Sequence, residues 1–262
     1  MPVDHPDVKP AQRAAGAAGL GAYARWRATT LGQVTEALEH RRMLELMGSV
    51  EGKPVIDLGC GDGLLAATLA RRGARVVGMD IDRSALRAAI SRGAQGPGGP
   101  PRFIAGRIER LPFDDSVFDV AVAMTVLCLV ADPTAALREA ARVLRPGGTL
   151  IIGELGRWNT WAARRRVKGW FGSRLWRSAH FFSASELSRL VEDAGLTVSA
   201  VRGSVFYPPV SALASALASV DEWLGSVTTI GAAFIAVAAT KERCPEWRTP
   251  DHLSADLPPA LA

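Results

Sequence analysis

Val55-Ile56-Asp57-Leu58-Gly59-Cys60-Gly61-Asp62-Gly63 opens the most patterned stretch of this 262-residue chain. An apolar run ends in an acid and three spaced glycines, and an apolar helical stretch, Leu64 to Ala70, follows at once. Such a run reads as a buried strand, and Gly59 and Gly61 let backbone approach a ligand where any side chain would intrude. A tight strand-to-helix turn without a ligand fits the same glycines. The next apolar run, Val76-Val77-Gly78-Met79-Asp80, also ends in an acid, about 20 residues on, where a carboxylate accepts hydrogen bonds from both hydroxyls of a ribose. Together the two runs indicate a nucleoside cofactor, although Asp80 also reads as a turn acid, as Asp82 does before its helix. The spacing is G-x-G-x-G, since Leu64 and Leu65 follow Gly63, and no Tyr-x-x-x-Lys pair occurs. Hydride transfer on a dinucleotide is therefore the weaker reading.

Working outward, short apolar runs alternate with helical stretches from 54 to 155, the pattern of a parallel sheet with crossover helices. Strands are expected at 54–58, 75–80, 102–105, 119–124 and 149–154. Asp82 caps a helix running to Arg92, and Asp132-Pro133 supplies an N-cap and first-turn proline for a helix that ends near Leu144. Arg145-Pro146-Gly147-Gly148 stops that helix, and residues 95–101 read as a surface loop. Ser183 and Glu186 have capping-box spacing for a helix to Ala194, with Gly195 as its stop. Two more strands are expected at 197–203 and 232–240. The stretches 157–182 and 207–229 exceed ordinary connections and read as insertions. The division expected is an N-terminal helical cap at 1–45, one domain at 46–243 carrying both insertions, and a tail at 244–262.

Composition bounds what such a fold can do. With 48% hydrophobic and 22% charged residues, the chain is neither disordered nor collagen-like. The longest uncharged apolar stretches, 120–131 and 228–240, fall short of the roughly 20 residues of a membrane span. The N-terminus lacks the basic start and apolar run of a secretory signal, so a cytoplasmic location is expected. Cys60, Cys128 and Cys244 form no metal-type pair, and no metal ligand set is expected. The net charge of +5 is local: Arg157, Arg164, Arg165, Arg166, Lys168, Arg174 and Arg177 share one acid-free segment, leaving the remainder slightly acidic. Trp158, Trp161, Trp170 and Trp176 are interleaved with them. The segment reads as a lid over an apolar substrate, a helix on an anionic membrane, an aromatic-basic strip for nucleic acid, or a packed helix with a solvated face. Its departure from the carboxyl end of strand five puts the lid first.

VIDLGCGDG at 55–63, VVGMDID at 76–82, GRIERLPFDDSVFDVAVA at 106–123 and VLRPGG at 143–148, in that order, resemble the class I S-adenosylmethionine-dependent methyltransferases. The resemblance is strongest to the small-molecule group that includes ubiquinone and menaquinone biosynthesis enzymes, and FFSASELSRLVEDAGL at 181–196 echoes it. It implies a Rossmann-like, doubly wound α/β sheet of seven strands, mostly parallel with the last antiparallel, carrying helical cap insertions. It also implies S-adenosylmethionine as cofactor, with Asp57, Gly59, Cys60 and Gly61 around its methionine end and the Met124 backbone near its amine. Asp80 would hold the ribose while Ile81 packs on adenine. One departure stands out: relatives carry Gly-Asp after the third strand, the acid receiving the adenine amino group, whereas this chain has Gly106-Arg107. A guanidinium accepts nothing. Adenine recognition then falls to backbone around Arg107 and Ile108, or to a carboxylate elsewhere.

Methyl transfer is an in-line displacement at an already activated sulfonium, so alignment and exclusion of water supply most of the catalysis. A general base is optional. His180 and Tyr23 are the candidates, with Tyr207 and Glu154 also beside segments expected to overhang the cofactor; a packed histidine before Phe181-Phe182 is the plain alternative for His180. Trp26, Cys128, Glu154, Trp158, Trp161 and Tyr207 are expected to wall a substrate pocket, and Tyr23 or Arg27 to meet the cofactor carboxylate. The function expected is methylation of a small, largely apolar acceptor. Nucleic-acid methylation, a non-catalytic cofactor-binding regulator, and peripheral membrane contact through 157–180 are the alternatives, the nucleic-acid one weakened because Met124-Thr125-Val126-Leu127 lacks the Asn/Asp-Pro-Pro-aromatic run.

Overall fold

The computed structural model describes residues 23–243. The tail at 244–262, Cys244 and the first 22 residues of the expected cap lie outside the described residues. Short apolar runs joined by one-faced helices can bury both sides of a sheet only by crossing over it each time. The strands are β1 (Pro54–Leu58), β2 (Arg75–Asp80), β3 (Arg102–Ala105), β4 (Phe118–Met124), β5 (Leu144–Leu155), β6 (Thr197–Ser204) and β7 (Phe234–Thr240). They form one sheet in the order β3-β2-β1-β4-β5-β7-β6, parallel except that β7 runs antiparallel to both neighbours. The order reverses between β1 and β4, which leaves a crevice at their carboxyl ends.

The helices are α1 (Thr30–Met47), α2 (Leu64–Arg71), α3 (Arg83–Ser91), α4 (Pro133–Val143), α5 (Thr160–Trp170), α6 (Arg174–Ser178), α7 (Ala184–Glu192) and α8 (Ser211–Val227). Strand alternation sorts the core between the two faces. On β1, Val55 packs with Met43, Leu69, Val120 and Phe234 beneath α1, α2 and α8, whereas its neighbour Ile56 packs with Leu137, Ile152, Leu187 and Val237 beneath α4 and α7. The caps are those the sequence indicates. Asp82 accepts from the Ser84 amide, Asp132 from the Ala135 amide ahead of Pro133, and Ser183 and Glu186 close a reciprocal box.

Three features depart from expectation. Helix α1 runs through position 45 to Met47, and its Leu38, Met43 and Met47 belong to the core, so the N-terminal helix is part of a sheet-covering layer. Residues 145–148 stay within β5: Leu144 pairs with Phe118, the register shifts, and Gly147 at φ 81° donates to the Lys241 carbonyl. The 157–182 insertion is sewn to the sheet at both ends. The Phe182 amide donates to Leu155 and the Arg157 amide to Phe182, both at 2.9 Å, and Ala162, Phe181 and Phe182 are core residues. The stretch read as an insertion thus forms part of the core over strand five.

Candidate functional site

The glycine turn leaves β1 with Gly59, Gly61 and Gly63 all left-handed, at φ 71°, 54° and 75°. A Cβ at Gly59 would overlap the Val126 side chain, so its glycine is required by the loop after β4; a Cβ at Gly61 would meet nothing within 4 Å. The open approach expected at both positions is found at Gly61. Asp80 locks the turn to β2. Its two oxygens accept from the amides of Gly61 and Asp82, each at 2.8 Å, and neighbouring Ile81 stands 37% exposed on the crevice side of the strand. Asp57 is 2% exposed and its Oδ2 has no partner among the described residues. Burial first, then the charge of Asp80, push its carboxyl up to about 7. An unpaired buried carboxylate oxygen is costly, and an ammonium group offers what it lacks. The residues present therefore fit the methionine end of S-adenosylmethionine. Cys60, 8% exposed, has its thiol pKa driven upward by burial and by Asp57 and Asp80.

A cavity of about 510 Å³ opens beyond β2 and β3, lined by Met79, Gly106, Arg110, Leu111, Phe113 and Asp114. It borders the segment in which Arg107 replaces an acid. Arg107 turns one nitrogen to Glu109 at 2.6 Å, while its Nη1 is buried without a partner among the described residues. Ile108 is buried behind it. Asp114 and Arg110 are the charged residues lining the cavity.

On the opposite side stand the aromatic residues. Tyr23 stacks on Trp26 at 5.3 Å, and Trp26 meets the buried Trp161 edge-on at 6.3 Å. Arg27 lies 4.7 Å over the Tyr23 ring and pairs with Asp62 of the glycine turn and with Glu36, each at 2.7 Å. This engages the arginine expected to meet a cofactor carboxylate and ties the N-terminal segment onto the turn. Beyond Met124, Thr125 adopts φ 51° and donates its amide to Gly153 at 2.7 Å. A β-branched residue there is strained, a feature that clusters at ligand clamps. Cys128 is buried, and the Glu154 carboxylate beside it accepts from the amides of Leu127 at 2.6 Å and Leu155 at 3.3 Å. Burial raises the Glu154 carboxyl to about 7.

Several expected pocket residues lie elsewhere. Tyr207 is 1% exposed and its hydroxyl meets Thr35 at 2.9 Å, so it joins α1 to the strand-six loop within the core. Trp158, ahead of α5, and Trp170, at its end, are 74% and 78% exposed and point to solvent; the buried face of α5 is that of Trp161, Ala162 and Gly169. His180 bonds Glu186 at 2.7 Å and stacks edge-on against Phe182 at the outer end of the insertion; only its backbone, bonded to the Cys128 carbonyl, reaches toward the site. Sequence reasoning passed over Asp62, Glu39, Thr125 and Arg165. Asp62 stood inside the motif, and Trp161 and Arg165 share a helix face at i, i+4 spacing; nothing local marks Glu39 or Thr125.

Residues 56–152 match the family model described as a methyltransferase domain. An uncharacterised protein of Mycobacterium tuberculosis is 32% identical over 239 residues, covering 90% of this chain and 77% of its own length. A ubiquinone biosynthesis O-methyltransferase of Idiomarina loihiensis is 33% identical over 163 residues, 60% of this chain and 67% of that protein. Among solved structures, a methyltransferase of Thermotoga maritima superposes with TM-score 0.65 at 23% identity, over 85% of this chain and 96% of that one. The magnesium protoporphyrin IX methyltransferase of Synechocystis with bound S-adenosylhomocysteine gives 0.62 at 17%, over 88% and 98%. With the glycine turn, the strand-two acid and the seven-stranded order in place, the chain belongs to the class I S-adenosylmethionine-dependent methyltransferases.

Proposed function

We propose that the enzyme methylates a small, largely apolar acceptor, and that its site residues divide between holding the cofactor and aligning the acceptor. The observation that carries this reading is the aromatic wall of Tyr23, Trp26 and Trp161, tied through Arg27 and Asp62 to the cofactor turn itself. When bound, the cofactor supplies a methyl on a cationic sulfur, which passes to an acceptor lone pair as the carbon–sulfur bond breaks to a neutral thioether. Asp57, Gly59, Cys60, Gly61 and the Met124 backbone hold the methionine end. Asp80 accepts from the ribose, and Ile81, Ile108 and the Arg107 backbone enclose adenine, with Asp114 as the nearby acceptor for its amino group. Trp26, Trp161 and Cys128 face the acceptor and exclude water. Glu154 positions the loop after β4 through the Leu127 amide. Tyr23 is better placed than His180 to touch the acceptor, since its ring belongs to this wall; burial and the charges of Glu39 and Glu36 push its hydroxyl pKa up, so it stays protonated and orients the acceptor as a hydrogen-bond donor, not as a base. The ubiquinone biosynthesis O-methyltransferases among the relatives support an oxygen acceptor.

The test is turnover of S-adenosylmethionine to S-adenosylhomocysteine across quinols, phenols, thiols and lipids, with calorimetry of S-adenosylhomocysteine alone as control. Turnover confined to oligonucleotides would overturn the reading. A second reading concerns where the acceptor is met. Trp158, Trp170 and Phe171, 74%, 78% and 87% exposed, stand among Arg164, Lys168, Arg174 and Arg177, a composition suited to an anionic lipid surface. Sedimentation with phosphatidylglycerol vesicles but not phosphatidylcholine vesicles supports it, and equal behaviour with both removes it.

A further inference from the structure

Arg165 rises from α5 between two indoles, its guanidinium 5.3 Å from the Trp161 ring centre and 5.0 Å from that of Trp176. Trp161 is held in turn, 6% exposed, with its Nε1 donating to the Tyr207 carbonyl at 2.9 Å. Titratable groups of three other segments act electrostatically on the guanidinium: Glu39 of α1, Cys128 after β4 and Tyr23 of the aromatic wall. No described residue accepts a hydrogen bond from it or lies within ion-pair distance. Arg42 and Arg157 are treated differently. Arg42 is answered by Glu45 at 2.8 Å and the Glu222 carbonyl at 3.2 Å, and Arg157 by the Phe181 carbonyl at 2.8 Å and Glu186 at 2.6 Å.

The Arg165 guanidinium is half-buried, and the ring faces supply cation–π attraction but no lone pair in the plane of its N–H fork, which leaves that fork open to a ligand. Two parallel oxygens match that fork, and a carboxylate carries them. Glu39 is 6% exposed and also takes no hydrogen bond from a described residue. Burial holds it protonated up to about 8, so its hydroxyl is a donor toward a neighbouring anion. A cation and a protonated acid thus act on each other beside the Trp161 ring.

We propose that Arg165 is the anchor for an anionic group on the methyl acceptor, which makes the acceptor class a flat apolar carboxylic acid. Its carboxylate lies against Arg165 and Glu39 and its apolar body against Trp26 and Trp161. This rests on the small-acceptor reading above and narrows it. The full chain is first titrated with S-adenosylhomocysteine by calorimetry; absence of binding there sinks the methyltransferase reading and with it this proposal. The loaded protein is then titrated with 2-naphthoate, 2-naphthamide, acetate and inorganic phosphate. The expected result is naphthoate binding roughly tenfold or more tighter than the amide and than either small anion. In Arg165→Gln the preference for naphthoate over the amide disappears while S-adenosylhomocysteine affinity is retained, and Arg165→Lys keeps part of that preference. Equal binding of acid and amide, no binding of naphthoate, phosphate binding at least as tight as naphthoate, or a preference that survives Arg165→Gln overturns the proposal. The wild-type comparison stands even if a variant fails to fold.

Discussion

Asp80 stitches the Gly61 and Asp82 amides together with one carboxylate, and each oxygen keeps a lone pair for a further donor. Asp80→Ala is expected to weaken S-adenosylmethionine binding by about 1 to 3 kcal/mol, read by calorimetry. Unchanged affinity would reduce Asp80 to a turn acid. At Gly59 the expected damage is to the fold. A valine there meets Val126 and a left-handed φ together, so Gly59→Val should melt well below wild type, whereas Gly61→Ala costs only the backbone strain, about 1 to 2 kcal/mol. Scanning calorimetry of the two side by side decides between crowding by Val126 and the need for ligand space. These residues were legible because their signals are local: an acid at a strand end, glycines at a turn. Val126 as the reason for Gly59 was not, since that contact joins segments brought together only by β1 pairing with β4.

Among the elements, the capped helices could be read at their first residues, where Asp82, Asp132 and Ser183 bond amides two or three positions away. Helix α8 could be seen only as a long connection. What fixes it is Asp221, 2% exposed, which accepts from the Ser204 hydroxyl at 2.8 Å and from the amides of Val205 at 3.0 Å and Phe206 at 2.7 Å, holding Val205 at φ 62°. Removing it strands buried donors. Asp221→Ala is expected to cost about 2 to 4 kcal/mol of stability, visible in urea unfolding, with cofactor affinity unchanged in the variant that remains folded. The exposed and buried tryptophans of α5 show the same limit: an aromatic-basic run announces itself by composition, but which members face the site depends on how the helix is rotated against the sheet.

For the whole molecule, three buried acids share one sign. Burial raises Asp57 and Glu154 to about 7 and Glu39 to about 8, so the folded chain keeps protons that the unfolded chain releases near pH 4. Their contribution to stability is complete below that unfolded range and is lost as pH rises through the folded values. His40 runs the other way, lowered by burial to about 4; its contribution is lost as pH falls from about 6.5 and is complete above it. Between about pH 6.5 and 8.5 the acids alone therefore set the slope, and the ligand-free protein is expected to melt several degrees lower at the upper end. Saturation with S-adenosylhomocysteine should flatten that slope if its ammonium meets Asp57. An equally steep slope in both states would separate Asp57 from the cofactor.

Asp62 is claimed by two arginines, Arg27 from the N-terminal segment and Arg92 at the end of α3, each at 2.7 Å. One carboxylate on the cofactor turn thus fastens a strap across the mouth of the crevice, and a strap held by charge at a partly solvated site yields to salt. Product is expected to leave beneath Tyr23 and Trp26 as that strap lifts. Where departure limits the cycle, moderate salt is expected to raise kcat while weakening retention of the spent cofactor, and Arg27→Met to reproduce both effects at low ionic strength. The ion pair that closes the chamber would then also be its clock.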